Sequence, residues 1–116
     1  MREELQRTAL LLDELSLQKI QSSKVAVFGI GGVGSYVVEA LARAGIGSFI
    51  LVDHDLVSIS NINRQLIALH STVGRPKVIV AKERILDVNP NASVEARRNF
   101  ILSLITHLTL PTTPYV

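Results

Sequence analysis

Two rhythms of apolar residues run through this chain. Val25-Ala26-Val27-Phe28 and Phe49-Ile50-Leu51-Val52 are unbroken apolar runs, the pattern of parallel strands buried on both faces. Between them the spacing turns helical, with Val33, Val37, Ala40, Leu41 and Ala44 expected on one face. Glu39 and Arg43 lie four apart on the other face, in the order that favours an ion pair. Gly45 and Gly47 then stop the helix. The same reading predicts an N-terminal helical segment over 3–21, strands over 24–29 and 48–53, and helix 32–45. It continues with a polar loop holding a short turn (54–73), helix 75–88 ending before Asn89-Pro90, and a third strand near 92–97. Such a β-α-β-α-β order makes the fold class α/β. It is the first half of a Rossmann-like doubly wound parallel sheet, with strand order 3-2-1, behind an N-terminal helical segment.

The polar punctuation carries the chemistry. Gly29-x-Gly31-Gly32-x-Gly34 sits between the first strand and the first helix. In that context glycines allow a tight turn and let backbone N–H groups approach a phosphate at the helix N-terminus. Asp53 closes the second apolar run 19 residues after Gly34, near the spacing at which an acid accepts bonds from ribose hydroxyls.

A dinucleotide site needs nothing particular after that acid. Here Ser60, Asn61, Asn63, Arg64 and Gln65 follow in a dense polar loop, and Lys77 comes just inside a helix started by Pro76. A guanidinium and an ammonium have most to gain against a triphosphate, whose charge increases when its α-phosphorus is attacked. Arg64 can clamp two phosphate oxygens and Lys77 can act as a point charge. These residues favour ATP over a nicotinamide dinucleotide, and an NAD-dependent oxidoreductase stays as the alternative that leaves Asn61, Arg64 and Lys77 without a role.

Taken together, Gly29-x-Gly31-Gly32-x-Gly34, Val52-Asp53-x-Asp55, Ser60-Asn61-x-Asn63-Arg64-Gln65 and Val73-Gly74-x-Pro76-Lys77 resemble the ThiF/MoeB-type adenylating enzymes, the family of the ubiquitin-like activating enzymes. The likeness covers roughly Arg7 to Phe100. Within that family the chain is most similar to the tRNA threonylcarbamoyladenosine dehydratases, through Gly32-Val33-Gly34-Ser35, Ala40-Leu41-Ala42-Arg43-x-Gly45-Ile46-Gly47 and Asn61-Ile62-Asn63-Arg64-Gln65-x-x-Ala68-Leu69. The resemblance implies an ATP- and Mg²⁺-dependent adenylating enzyme whose acceptor is a carboxylate on tRNA, activated by AMP transfer for cyclisation. It implies Gly32 facing the phosphates and Asp53 the ribose. Asn61, Asn63 and Arg64 would line the phosphate pocket, with Lys77 meeting the phosphates from its helix. It also implies a homodimer in which Arg7 reaches into the partner's site; the competing reading of Arg7 is a solvated charge on a helix. Two rival functions fit the same motifs: a sulfur-carrier or ubiquitin-like protein adenylyltransferase, and a non-catalytic nucleotide-binding or dimerisation module.

Composition bounds the rest. A chain of 116 residues with 47% hydrophobic content is one domain at most, with enough apolar material for a core. It has no cysteine, so no disulfide or cysteine metal site forms within it, and no metal site is expected in this stretch. A net charge of +2 is too small to argue for RNA binding. Arg97-Arg98 reads as a solvated strand end, Asp55 as a turn or cap, and His54 and His70 as ordinary loop residues. No signal peptide or membrane-spanning run is visible, which favours the cytoplasm. No charged residue follows Arg98, and 101–116 has neither strand nor helix period. That run resembles the translation of a transposon end used to fragment DNA for sequencing. Residues 1–100 are therefore read as a partial ThiF-type ATP-binding domain and 101–116 as a non-native tail, and the fragment is expected not to turn over.

Overall fold

The structure is a computed structural model that describes residues 3–5 and 13–99. A 3₁₀ turn at Glu3–Leu5 and a helix α1 (Glu14–Ser22) precede the sheet. Then come β1 (Lys24–Phe28), α2 (Gly32–Ala44), β2 (Ser48–Val52), a 3₁₀ turn at Ile59–Asn61, α3 (Lys77–Val88) and β3 (Ser93–Arg97). The three strands are parallel in the order β1-β2-β3, as expected. Lys24 stands opposite Ser48, and Ser48 opposite Ser93.

Alternation along the strands divides the sheet into two buried faces. Val25, Val27, Phe49 and Leu51 face Val38 and Ala42 of α2 and Val78, Ala81 and Ile85 of α3 in the main core. Ala26, Ile50 and Val52 are buried on the opposite face, with Phe28 beside them. Burial on both sides is why the strands read as continuous apolar runs rather than alternating ones.

Caps set the helix limits. The Asp13 carboxylate accepts the Ser16 N–H at 2.7 Å and starts α1. Gly45, at φ 98°, ends α2 in the left-handed region that glycine adopts freely. Asn89 ends α3, and its Nδ2 donates to the Ile46 carbonyl at 3.0 Å, tying that helix end to the entry of β2.

The buried stripe of α2 differs from the expected one. Ser35, Val38 and Ala42 are buried, whereas Val33 is 80% exposed. A helix lying close to a sheet needs small residues at the contact, and a serine there was invisible to a reading based on apolar size. Glu39 is not a solvated charge either: besides Arg43 (2.7 Å) it takes the Arg84 guanidinium of α3, bridging the two helices.

Candidate nucleotide site

All the described candidate residues lie at the carboxyl ends of the strands, where open α/β sheets place their ligands. The turn after β1 is shaped by two glycines with different duties. Gly29 has φ 92°, a conformation that side chains disfavour. A Cβ on Gly34 would lie 1.9 Å from the Gly29 carbonyl oxygen, so only glycine lets α2 start this close to β1. Gly31 and Gly32 are different. A Cβ on either would meet no atom of the other described residues nearer than 3.9 Å, apart from its chain neighbours and helix backbone. Among the described residues there is room for a side chain at both positions, and that space is open to something else. The first amide of α2 bonded to its own turn is that of Ser35, to the Gly31 carbonyl at 3.0 Å. The Gly32, Val33 and Gly34 amides have no acceptor among the described residues. They make the N-terminus of α2 an anion cradle. A cleft of about 350 Å³, lined by Phe28, Gly29, Gly31 and Val33 among others, opens beside it.

Asp53 follows β2 directly and is 6% exposed. Its Oδ2 accepts the Ile30 N–H and its Oδ1 the Asp55 N–H, both at 2.7 Å. The acid therefore pins the glycine turn to the next loop, and each oxygen keeps a lone pair for a further donor. The Asp55 carbonyl in turn accepts the Lys77 N–H at 3.1 Å, fixing the start of α3. Asp55 thus works through its backbone, consistent with a turn residue, and its carboxylate lies 3.2 Å from His54 Nε2.

Lys77 is the first residue of α3 and is only 6% exposed. Its ammonium group has no hydrogen bond or ion pair among the described residues. Lys77 stands at a helix N-terminus, where the helix dipole is itself positive. A cation beside such an end suits a bound anion.

The polar loop packs onto this turn. The Arg64 carbonyl oxygen lies 3.9 Å from a Cβ built on Gly32, and Gln65 Nε2 the same distance from one on Gly31. Ser35 Oγ accepts the Leu66 N–H at 3.2 Å and so fastens the loop to α2. Asn61, 7% exposed, accepts the Ser58 N–H on its Oδ1 at 2.9 Å, which stiffens the 3₁₀ turn and leaves its Nδ2 to donate. Arg64 and Asn63 are on the exposed rim. The Arg64 guanidinium donates to the Ser60 carbonyl at 2.9 Å and to Asn63 Oδ1 at 3.2 Å. Gly29, Gly31, Gly32 and Gly34 form the turn and Asp53 pins it, Asn61 lies in the loop packed on it, Asn63 and Arg64 stand on that loop's exposed rim, and Lys77 opens the helix that follows. Arg7 and the 101–116 segment lie outside the described residues. Sequence reasoning gave no role to Ser35 or Gln65. Their signal was membership of the Gly32-Val33-Gly34-Ser35 and Asn61-Ile62-Asn63-Arg64-Gln65 motifs.

A larger cavity, about 570 Å³, lies at the opposite ends of α2 and α3, lined by Arg43, Arg84 and Asp87 among others. None of the candidate residues lines it, whereas the glycine turn combines α2 amides that have no acceptor among the described residues with Lys77 at the start of α3. Among the described residues no cluster of three or more His, Cys, Asp or Glu could hold a metal ion. No helix among them is long and apolar enough to cross a membrane.

Fold and site define a Rossmann-type β-α-β unit with an anion cradle at its first helix. The ThiF family model matches residues 5–109, and the chain belongs to the ThiF family. It is 52% identical over 94 residues to a tRNA threonylcarbamoyladenosine dehydratase of Bacillus subtilis (strain 168), covering 81% of this chain and 37% of that protein. To the Sulfur carrier protein ThiS adenylyltransferase of Escherichia coli (strain K12) it is 37% identical over 90 residues, covering 75% of this chain and 36% of the other. The crystal structure of the E. coli tRNA N6-threonylcarbamoyladenosine dehydratase in complex with ATP superposes with a TM-score of 0.86 at 39% identity, over 93% of this chain and 46% of that one. The resemblance read from the four motifs is borne out. The chain spans little more than a third of the length of these curated relatives.

Proposed function

We propose that this chain carries the nucleotide half of an ATP-dependent adenylating enzyme of the tRNA threonylcarbamoyladenosine dehydratase type. The observation that carries the reading is the turn after β1: open space in front of Gly31 and Gly32, with Lys77 opening a helix tied through Asp55 and Asp53 to that turn. ATP supplies what these groups lack. Its phosphates would take the free α2 amides and Lys77, and its ribose hydroxyls would donate to Asp53. Arg64, freed from its own loop, would close over the phosphates. A carboxylate oxygen of the acceptor attacks the α-phosphorus, the bond to the bridging oxygen breaks, and pyrophosphate leaves. Positioning and charge stabilisation would do the work, with no enzyme nucleophile. Mg²⁺ would enter with the triphosphate, since no ligand cluster among the described residues would hold it alone.

The names of the relatives support tRNA as the acceptor, with a sulfur-carrier protein as the second reading on the ThiS adenylyltransferase likeness. A cytoplasmic homodimer with Arg7 acting in trans belongs to the same proposal. So does an absence of turnover by the 116-residue chain itself, which is expected to bind ATP and to give no ATP–pyrophosphate exchange.

Calorimetry with ATP and NAD tests the reading. ATP binding that is weakened by Arg64→Ala or Lys77→Ala, with NAD binding weak and indifferent to both, is the expected result. Preference for NAD would sink it and restore the oxidoreductase reading.

A further inference from the structure

α2 and α3 pack on one face of the sheet, and both begin at its carboxyl edge. The α2 start offers the Gly32, Val33 and Gly34 amides, and the α3 start offers Lys77. A ligand with several phosphates that meets both ends needs the two helices at one fixed offset along their axes. The apolar side chains they share in the core, among them Ala42 and Ala81, attract without direction. One polar link does have a direction. Arg84 of α3 donates from Nε to Glu39 Oε1 and from Nη2 to Glu39 Oε2 at 3.3 Å, a two-pronged contact of set geometry. The Glu39 side chain is 14% exposed, so water competes little for it. Among the described residues no other hydrogen bond or ion pair joins α2 to α3.

The link stands at matching heights. Glu39 comes seven residues after Gly32, and Arg84 seven after Lys77. Each is about 10 Å along its axis from its own helix start. Both helices run back from parallel strands, so the pair holds their two starts level. We infer that Glu39 and Arg84 are positioning residues for a polyphosphate: their ion pair sets the offset between the α2 amides and Lys77 without touching the ligand. The inference rests on the nucleotide reading of the site. Arg43 supplies the contrast. It donates to the same carboxylate at 2.7 Å, but from within α2. It therefore strengthens one helix and does not set the offset between two.

The test uses the full chain and two ligands, ATP and AMP. ATP has phosphates enough to meet both helix starts, and AMP has one. Arg84→Gln is expected to weaken ATP binding about tenfold, the order of loss that follows a small misplacement of binding groups, and to leave AMP binding unchanged. Glu39→Gln should do the same. The double variant should lose no more than either single one, because the two residues act as a unit. Arg43→Gln should leave both affinities unchanged. Unchanged ATP affinity in Arg84→Gln, an equal loss for AMP, or the same ATP loss in Arg43→Gln overturns the assignment. A folding failure in both Glu39→Gln and Arg84→Gln also overturns it, because the pair would then be structural. If the unmodified chain binds neither ATP nor AMP, the nucleotide reading fails and this inference falls with it. That result is distinct from an unmodified chain that binds ATP and an Arg84→Gln chain that binds it equally well.

Discussion

Asp53 and Ile30 are joined by a 2.7 Å hydrogen bond from the Ile30 amide to the Asp53 carboxylate, deep in the fold at the ends of β2 and β1. The acid that the sequence offers to a ribose therefore already holds the glycine turn in shape. Binding and scaffolding share one side chain, because a carboxylate has more lone pairs than two backbone amides use.

Asp53→Asn separates those duties. An amide can present its oxygen to only one of the two donors, so either Ile30 or Asp55 loses its acceptor. An unmet buried N–H costs about 1–3 kcal/mol, a drop of several degrees in melting temperature for a domain this small. ATP affinity is expected to fall as well. Denaturant unfolding with unchanged stability would show that the Ile30 bond does not scaffold the turn.

Lys77→Met should behave in the opposite way. It removes a charge that has no partner among the described residues and that stands at the positive end of a helix, so thermal stability is expected to hold or increase. ATP affinity should fall about tenfold or more, the value of one charge-assisted contact to phosphate. A variant that binds ATP normally and is less stable would assign Lys77 to the core instead.

Most of the scaffold was legible because it depends on local rules. Apolar runs made the strands, the glycine turn and Gly45 bounded α2, and Asn89 ended α3 as expected. The site was legible as composition, not as geometry. Gly32 could be named as phosphate-facing, but only the open space in front of Gly31 and Gly32 sets these two apart from the close-packed Gly34. Asp53 could be placed at a strand end, but not its bonds to Ile30 and Asp55, which come from loops closing in three dimensions. Ser35 was hidden by the rule that buried helix positions are apolar. Its hydroxyl is satisfied by Leu66, 31 residues away, a partner no periodicity reveals.

Glu39 gives the fold an acid-sensitive clamp. Its carboxyl is held below the usual carboxylate range, first by the Arg84 guanidinium and then by Arg43, against the opposing effect of burial. A carboxyl with a depressed folded-state pKa contributes stability that is fully present above its unfolded pKa, 4.5. That contribution is lost as pH falls through the folded value. Glu39→Gln should therefore destabilise the chain by about 1 kcal/mol or less at neutral pH and little at low pH. Unfolding curves of the two proteins should converge as the medium is acidified below 4.5. A constant gap across that window would mean that packing, and not charge, carries the clamp.

The two kinds of glycine in the turn make the sharpest comparison. Gly34→Ala drives a methyl group to 1.9 Å from the Gly29 carbonyl oxygen, so α2 has to move away from β1. Overpacking of this kind costs about 1–3 kcal/mol, and both stability and ATP binding should suffer. Gly31→Ala meets nothing closer than Gln65 Nε2 at 3.9 Å, and Gly31 already has a negative φ of −104°. Its stability is expected to stay within about 0.5 kcal/mol of the parent, as for substitutions that disturb no packing, while its methyl group occupies the space a phosphate needs. Melting curves and ATP titrations on the two variants decide the matter. Loss of binding with intact stability in Gly31→Ala marks the open space as the ligand's. Normal ATP binding by that variant would place the phosphates elsewhere and remove the cradle from the mechanism.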